Sequence, residues 1–186
     1  MKLDKNSTLS TVALHVGNTL RRRGIHAVLT GGACACVHTR GAYSSLDIDF
    51  ILSGSIRQDA LDAAMAEVGF RRKGSQYVHD RVPFTVEFPR GPLAIGADYE
   101  IRPVSSGGAT MHMLMLSPTD SCRDRLADYY HWNDRQSLET GVLIALASRV
   151  GMSRIRAWSE GEGHAAKFGE FQAEVRRRKR RRARGR

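Results

Sequence analysis

VLTGGACACVHTRGAYSSLDIDFIL, residues Val28 to Leu52, decides how this chain is read. Its apolar ends bracket a run of small residues and turn formers. His26 to Leu29 reads as a short buried strand, and Thr30-Gly31-Gly32 as a tight turn. Ala33 to His38 suits a helix packed closely on a sheet, and Gly41 closes it. Leu46 to Leu52 reads as a second strand, with Ile48, Phe50 and Ile51 as its apolar anchors. Residues i and i+2 of a strand share a face, so Asp47 and Asp49 present two carboxylates side by side. Such a pair repels unless a cation neutralises it. The fitting ion is hard and oxygen-seeking, Mg²⁺ or Mn²⁺, which also takes phosphate oxygens. Gly31 and Gly32 stand between a strand and a helix start. There glycine lets backbone N–H groups approach an anion, and the helix N-terminus favours negative charge.

Working outward, residues 7 to 23 are expected to be helical, capped by Ser7 or Thr8 and ended by Gly24. Ile56 to Val68 has helical spacing and stops at Gly69. Gln76 to His79 and Pro83 to Phe88 read as a hairpin around Asp80 and Arg81. In that hairpin Glu87 is a single acid between Val86 and Phe88. An unpaired charge in an apolar strand wants a partner, so Glu87 is the candidate third carboxylate. Phe88 to Gly96 is a turn-rich loop, and Thr110 to Leu116 alternates as another strand. Beyond Pro118 the pattern is helical, over about 118–131, 134–149 and 164–182. The expected fold class is α/β (α+β): a short mixed β-sheet flanked by helices, then a C-terminal helical region. The expected division is an α/β core at 1–117, a helical region at 118–175 and a basic tail at 176–186.

Gly31-Gly32, a gap of fourteen residues (33 to 46), and Ser45-Leu46-Asp47-Ile48-Asp49-Phe50 resemble the nucleotidyltransferase superfamily of the polymerase-beta type. The likeness is greatest to minimal nucleotidyltransferases and to the nucleotidyltransferase toxins of abortive-infection systems. It is carried by residues 25–52 and extends to about residue 150. It implies transfer of an NMP from an NTP to an acceptor hydroxyl. Asp47, Asp49 and Glu87 would bind the metal ions, and Glu87 would hold one metal or activate the attacking hydroxyl. Gly31, Gly32 and Ser45 would lie against the nucleotide. Ala33 departs from the Ser or Thr that relatives often carry there to touch the phosphates. On the following helices Arg123 or Arg125 would take the place of a phosphate-neutralising lysine, and Asp134 that of a helper aspartate. The toxin-like resemblance adds a cognate antitoxin as a partner. The alternative is a non-catalytic nucleotide- or RNA-binding module, or a regulatory partner, on the same fold.

The charge balance points to a polyanion. The 186 residues hold 29 basic and 19 acidic side chains. Nine of the eleven residues from Arg176 to Arg186 are Lys or Arg, which leaves 20 basic against 19 acidic in the rest. A nearly neutral body with a basic tail favours an RNA acceptor, such as a tRNA end, over a protein or small-molecule one. No apolar stretch reaches the roughly 18 residues of a spanning helix, and the N-terminus has no secretory h-region. Three cysteines (Cys34, Cys36, Cys122) make no disulfide framework, so the expected compartment is the cytoplasm. Cys34, Cys36 and His38 lack the loop spacing of a zinc site. Tyr129, Tyr130, His131 and Trp132 read as helix packing, with base stacking as the alternative.

Overall fold

A computed structural model describes residues 3–184. Helix α1 (Leu9–Arg22) is capped by Thr8, whose hydroxyl accepts the Thr11 N–H. Strand β1 (Ala27–Thr30) is buried throughout and runs directly into α2 (Gly31–His38). Then come β2 (Asp47–Leu52), α3 (Gln58–Glu67), β3 (Arg71–Lys73), β4 (Gln76–Val78), β5 (Thr85–Glu87), β6 (Val104–Gly107) and β7 (His112–Met115). Four helices follow: α4 (Pro118–Trp132), α5 (Arg135–Ala147), α6 (Met152–Gly161) and α7 (Ala165–Arg184).

The seven strands form one mixed sheet in the order β3-β4-β5-β2-β1-β7-β6. β1 is antiparallel to β2 and parallel to β7, while β2 is parallel to β5. The α+β class and the mixed sheet expected from the sequence are therefore present. Three elements were not expected: the edge strands β3 and β6, and the helix α6. The helical pattern of the tail continues to Arg184, while Gly185 and Arg186 lie outside the described residues.

Buried apolar side chains gather in two clusters. One joins α1, α2 and α3 to the sheet through Val16, Leu29, Ile48, Phe50 and Met65. The other joins α4 to α7 through Leu126, Tyr129, Val142, Ile155 and Phe171. α1 lies unusually close to the sheet at Gly17, where a Cβ would stand 2.6 Å from the Met113 Cβ. That approach seats α1 against β7 and β1. Among the described residues, no helix is long and apolar enough to cross a membrane.

Candidate active site

Strand register assembles the carboxylates. Asp49 of β2 is paired with Glu87 of β5 on one side and with Thr30 of β1 on the other. Asp47 is paired with Thr85. Since alternate strand residues share a face, Asp47, Asp49 and Glu87 lie on the same face of neighbouring strands. Ile48 and Val86, on the opposite face, are fully buried and fix that orientation.

Burial, then the charge of Glu87, then that of Asp47 push the Asp49 pKa from 3.8 up to about 6, and Arg125 pulls the other way. The backbone beside it allows no larger residue. Gly31 has φ +62°, and a Cβ there would sit 2.6 Å from the Asp49 Oδ2. Gly32 is bounded in the same way by Ser45, whose Oγ would lie 2.9 Å from an added Cβ. Ser45 in turn accepts the Asp47 N–H at 3.3 Å and donates to the Asp47 carbonyl at 3.2 Å. Thr30 occupies the N-cap of α2 but makes no side-chain capping bond. The first N–H groups of α2 thus keep free donors beside the carboxylates, the arrangement that attracts phosphate. Ala33 is fully buried in the core, so its methyl is a packing group at that position.

Two further residues organise the acids. Thr85 donates its hydroxyl to Asp47 Oδ1 at 2.7 Å, and Gln76 of β4 donates its amide to Glu87 Oε1 at 2.5 Å. Asp47 and Glu87 therefore each hold a donor, while no donor reaches the Asp49 carboxylate among the described residues. Among the described residues, no group of three His, Cys, Asp or Glu side chains is gathered tightly enough to enclose a metal ion. The fit to a hard divalent cation rests on the donors instead: three carboxylates on one face, with Asp49 strained by its neighbours' charge. Thr85 was accessible to the same alternation that singled out Glu87. Gln76 depends on the β4–β5 register, which composition does not reveal.

The helical candidates separate. Arg125 of α4 belongs with the site, because its charge acts on Asp49 and on Tyr43. It is held at 2.8 Å by Asp124 and at 3.1 Å by Asp128. Arg123 is not brought there. It is 1% exposed, bonded to Asp98 at 2.6 Å and Asp120 at 2.9 Å, and lies 5.0 Å from the centre of the Trp158 ring. On an α-helix, residues two apart point to different faces, so both arginines could not serve one phosphate. Asp134 is the N-cap of α5. Its carboxylate accepts the Gln136 N–H at 2.9 Å and the Ser137 hydroxyl at 2.7 Å, and these bonds hold its pKa below the usual range. Its carboxylate is thus engaged in capping α5, within reach of the Arg125 charge.

The remaining sequence candidates are structural. Cys34, Cys36 and Cys122 are free and buried, and burial pushes the Cys34 thiol up to about 12. Tyr129 donates to Glu170, while Tyr130 stacks on Trp158 at 5.5 Å. His131 and Trp132, at the end of that run, are open to solvent, Trp132 at 81% exposure. A 560 Å³ cleft lies elsewhere, between α1 and the end of α3, and Asp47, Asp49 and Glu87 do not line it.

No family model matches the chain, and no curated protein matches its sequence. Solved structures do match its fold. An antigenic nucleotidyltransferase-like protein from Paracoccidioides brasiliensis superimposes with a TM-score of 0.56 at 16% identity, covering 76% of this chain and 77% of that one. The antibiotic-resistance factor ANT(2'')-Ia, in complex with adenylyl-2''-tobramycin, superimposes with a TM-score of 0.52 at 15% identity, covering 88% of this chain and 98% of that one. The chain therefore has the fold of the nucleotidyltransferase-like proteins.

Proposed function

We propose that the protein is a metal-dependent nucleotidyltransferase, which moves an NMP from an NTP to an acceptor hydroxyl. The observation that carries this reading is the register of β1, β2 and β5. It sets Asp47, Asp49 and Glu87 on one face, next to the open N-terminus of α2. Asp47, Asp49 and Glu87 would hold Mg²⁺ or Mn²⁺, which when bound supplies charge neutralisation at the α-phosphate. The N–H groups of Gly31 and Gly32 bind the phosphate chain, and Ser45 keeps the entry to β2 fixed beneath them. Arg125, tied by Asp124 and Asp128, adds positive charge on the same side. The acceptor oxygen forms a bond to the α-phosphorus as the bond to the pyrophosphate oxygen breaks. Glu87 takes the acceptor's proton at its carboxylate, and pyrophosphate leaves. Catalysis on this scheme is positioning and charge complementarity, with no covalent enzyme intermediate.

The acceptor favoured here is an RNA hydroxyl, on the strength of the basic C-terminal helix. A small-molecule hydroxyl is the competing acceptor, supported by the fold likeness to a protein solved with adenylyl-2''-tobramycin. One observation favours a second reading, a nucleotide-binding module without activity: among the described residues the acids are not gathered tightly enough to enclose a metal ion. Incubation with each α-labelled NTP, Mg²⁺ and total RNA separates the two. Label appearing in RNA, and lost on combining Asp47→Asn with Asp49→Asn, supports the transferase. NTP binding without transfer to any acceptor supports the module.

A further inference from the structure

The arginines at the end of the chain are not equivalent. α7 packs through Phe168, Phe171 and Val175, and Arg178 fastens it by bonding Glu139 of α5 and Glu174 one turn earlier. Arg177 also pairs with Glu174. Beyond this anchor, Arg176, Arg180, Arg181 and Arg184 have no carboxylate within ion-pairing distance among the described residues. With Ala173 and Arg177 they lie together along one side of the helix. At 3.6 residues per turn, that side lies about half a turn from the Phe168–Phe171–Val175 face. The stripe therefore points away from the body while the helix beneath it is held in place.

We infer that this stripe is a docking surface for RNA, engaged through its phosphate backbone. Arg176, Arg180 and Arg184 follow one another at i, i+4 spacing, where like charges repel and weaken an isolated helix. A polyanion relieves that repulsion and neutralises all four guanidinium groups at once. Membrane lipid fits less well. From Arg176 to Arg184 the only side chain without a charge is Ala183, so the segment has no apolar face to insert. RNA is chosen over DNA on two grounds. The deep, narrow major groove of an A-form helix brings phosphates of both strands near one inserted element. The second ground is the transferase reading, which calls for an acceptor hydroxyl, and to that extent the inference rests on it.

The test is fluorescence anisotropy of the full chain with a labelled RNA hairpin, its DNA counterpart and phosphatidylglycerol vesicles, across a salt series. The variant replaces Arg176, Arg180, Arg181 and Arg184 by Gln, which keeps helix propensity; circular dichroism and thermal melting establish that it folds. The expected result is RNA binding whose log–log salt slope falls by about 3 to 4 units in the variant, with at least a tenfold loss of affinity at moderate salt. Arg178→Gln leaves that slope within about one unit, since its charge is already spent on Glu139 and Glu174. Asp49→Asn leaves RNA binding unchanged even if it abolishes transfer, so failure of the catalytic reading and of this one are told apart. Binding unaffected by the four substitutions, or tighter binding to the DNA hairpin or the vesicles, overturns the inference.

Discussion

Two regions of this molecule concentrate charge of one sign, and they are built in opposite ways. The acids sit on the inner strands of the sheet, where pairing of β2 with β5 fixes their spacing. The arginines beyond Val175 sit on the outer part of a helix that packs through Phe168, Phe171 and Val175 and is tied to α5 by Arg178. The acidic set is partly buried, so its internal repulsion appears as a raised pKa at Asp49. The basic set is exposed, so water and salt screen it and its consequence is long-range attraction. Rigid, half-buried like charge suits chemistry on a small ligand. Exposed like charge on a helix suits reversible docking of a large one.

Arg123 is the contrasting case, a buried charge with a carboxylate on each of its two terminal nitrogens, though its Nε has no partner among the described residues. It lies between Asp98 and Asp120, and Asp120 is also approached by Arg154 at 3.2 Å. The carboxylates of the site lack such compensation from the protein, which is why they can bind something else.

Substitutions should break this contrast in order of severity. Asp49→Asn keeps the shape and removes one acid of the three, and it should lower the transfer rate by about a thousandfold or more, as seen in a single-turnover assay. Arg123→Ala should cost about 3–5 kcal/mol in urea denaturation, because it removes the buried partner that Asp98 and Asp120 share; Asp134→Ala, a lost cap, should cost only about 1 kcal/mol.

A third expectation concerns stability without metal. The folded-state pKa of Asp49 is raised from 3.8 to about 6. Its proton therefore stabilises the fold below pH 4, and that contribution is lost as the pH rises through about 6. Asp49→Asn should thus stabilise the metal-free protein above pH 7 by on the order of 1–3 kcal/mol and do little at pH 4, as measured by denaturation at both pH values. A variant that loses activity while gaining stability would mark Asp49 as strained for function. Gly31→Ala should be destabilising by about 1–2 kcal/mol, since it forces a side chain to positive φ and onto Asp49. The smallest effect should be that of Arg178→Gln, about 1 kcal/mol or less by thermal melting, because its ion pairs lie at the surface and are only partly buried.

The sequence revealed what a short motif could carry. Alternation in Leu46 to Leu52 placed Asp47 and Asp49 on one face, and Glu87 in Thr85-Val86-Glu87 followed from the same period. The glycine pair marked the strand-to-helix turn. Edge strands escaped notice because they bury little: β3 is Arg71-Arg72-Lys73, exposed throughout, and its charges protect a free edge. β6 is likewise mostly exposed, and only its pairing with β7 reveals it. α6 was hidden because Ile155 and Ser159 are the only residues it buries completely. Arg123 was misjudged for a different reason. An arginine near a helix start looks the same in sequence whether it meets a phosphate or a buried Asp120. What settles it is Asp98, 25 residues earlier, on a loop that no local pattern connects to α4.

The most direct test of the central claim is a Mn²⁺ titration followed by electron paramagnetic resonance, with ATP present, on the wild type and on the Asp47→Asn/Asp49→Asn double variant at pH 7.5. The account predicts protein-bound Mn²⁺ in the wild type, weakened at pH 5 as Asp49 takes up its proton, and at least tenfold weaker binding in the double variant. Equal Mn²⁺ binding by both proteins would place the metal elsewhere and contradict it.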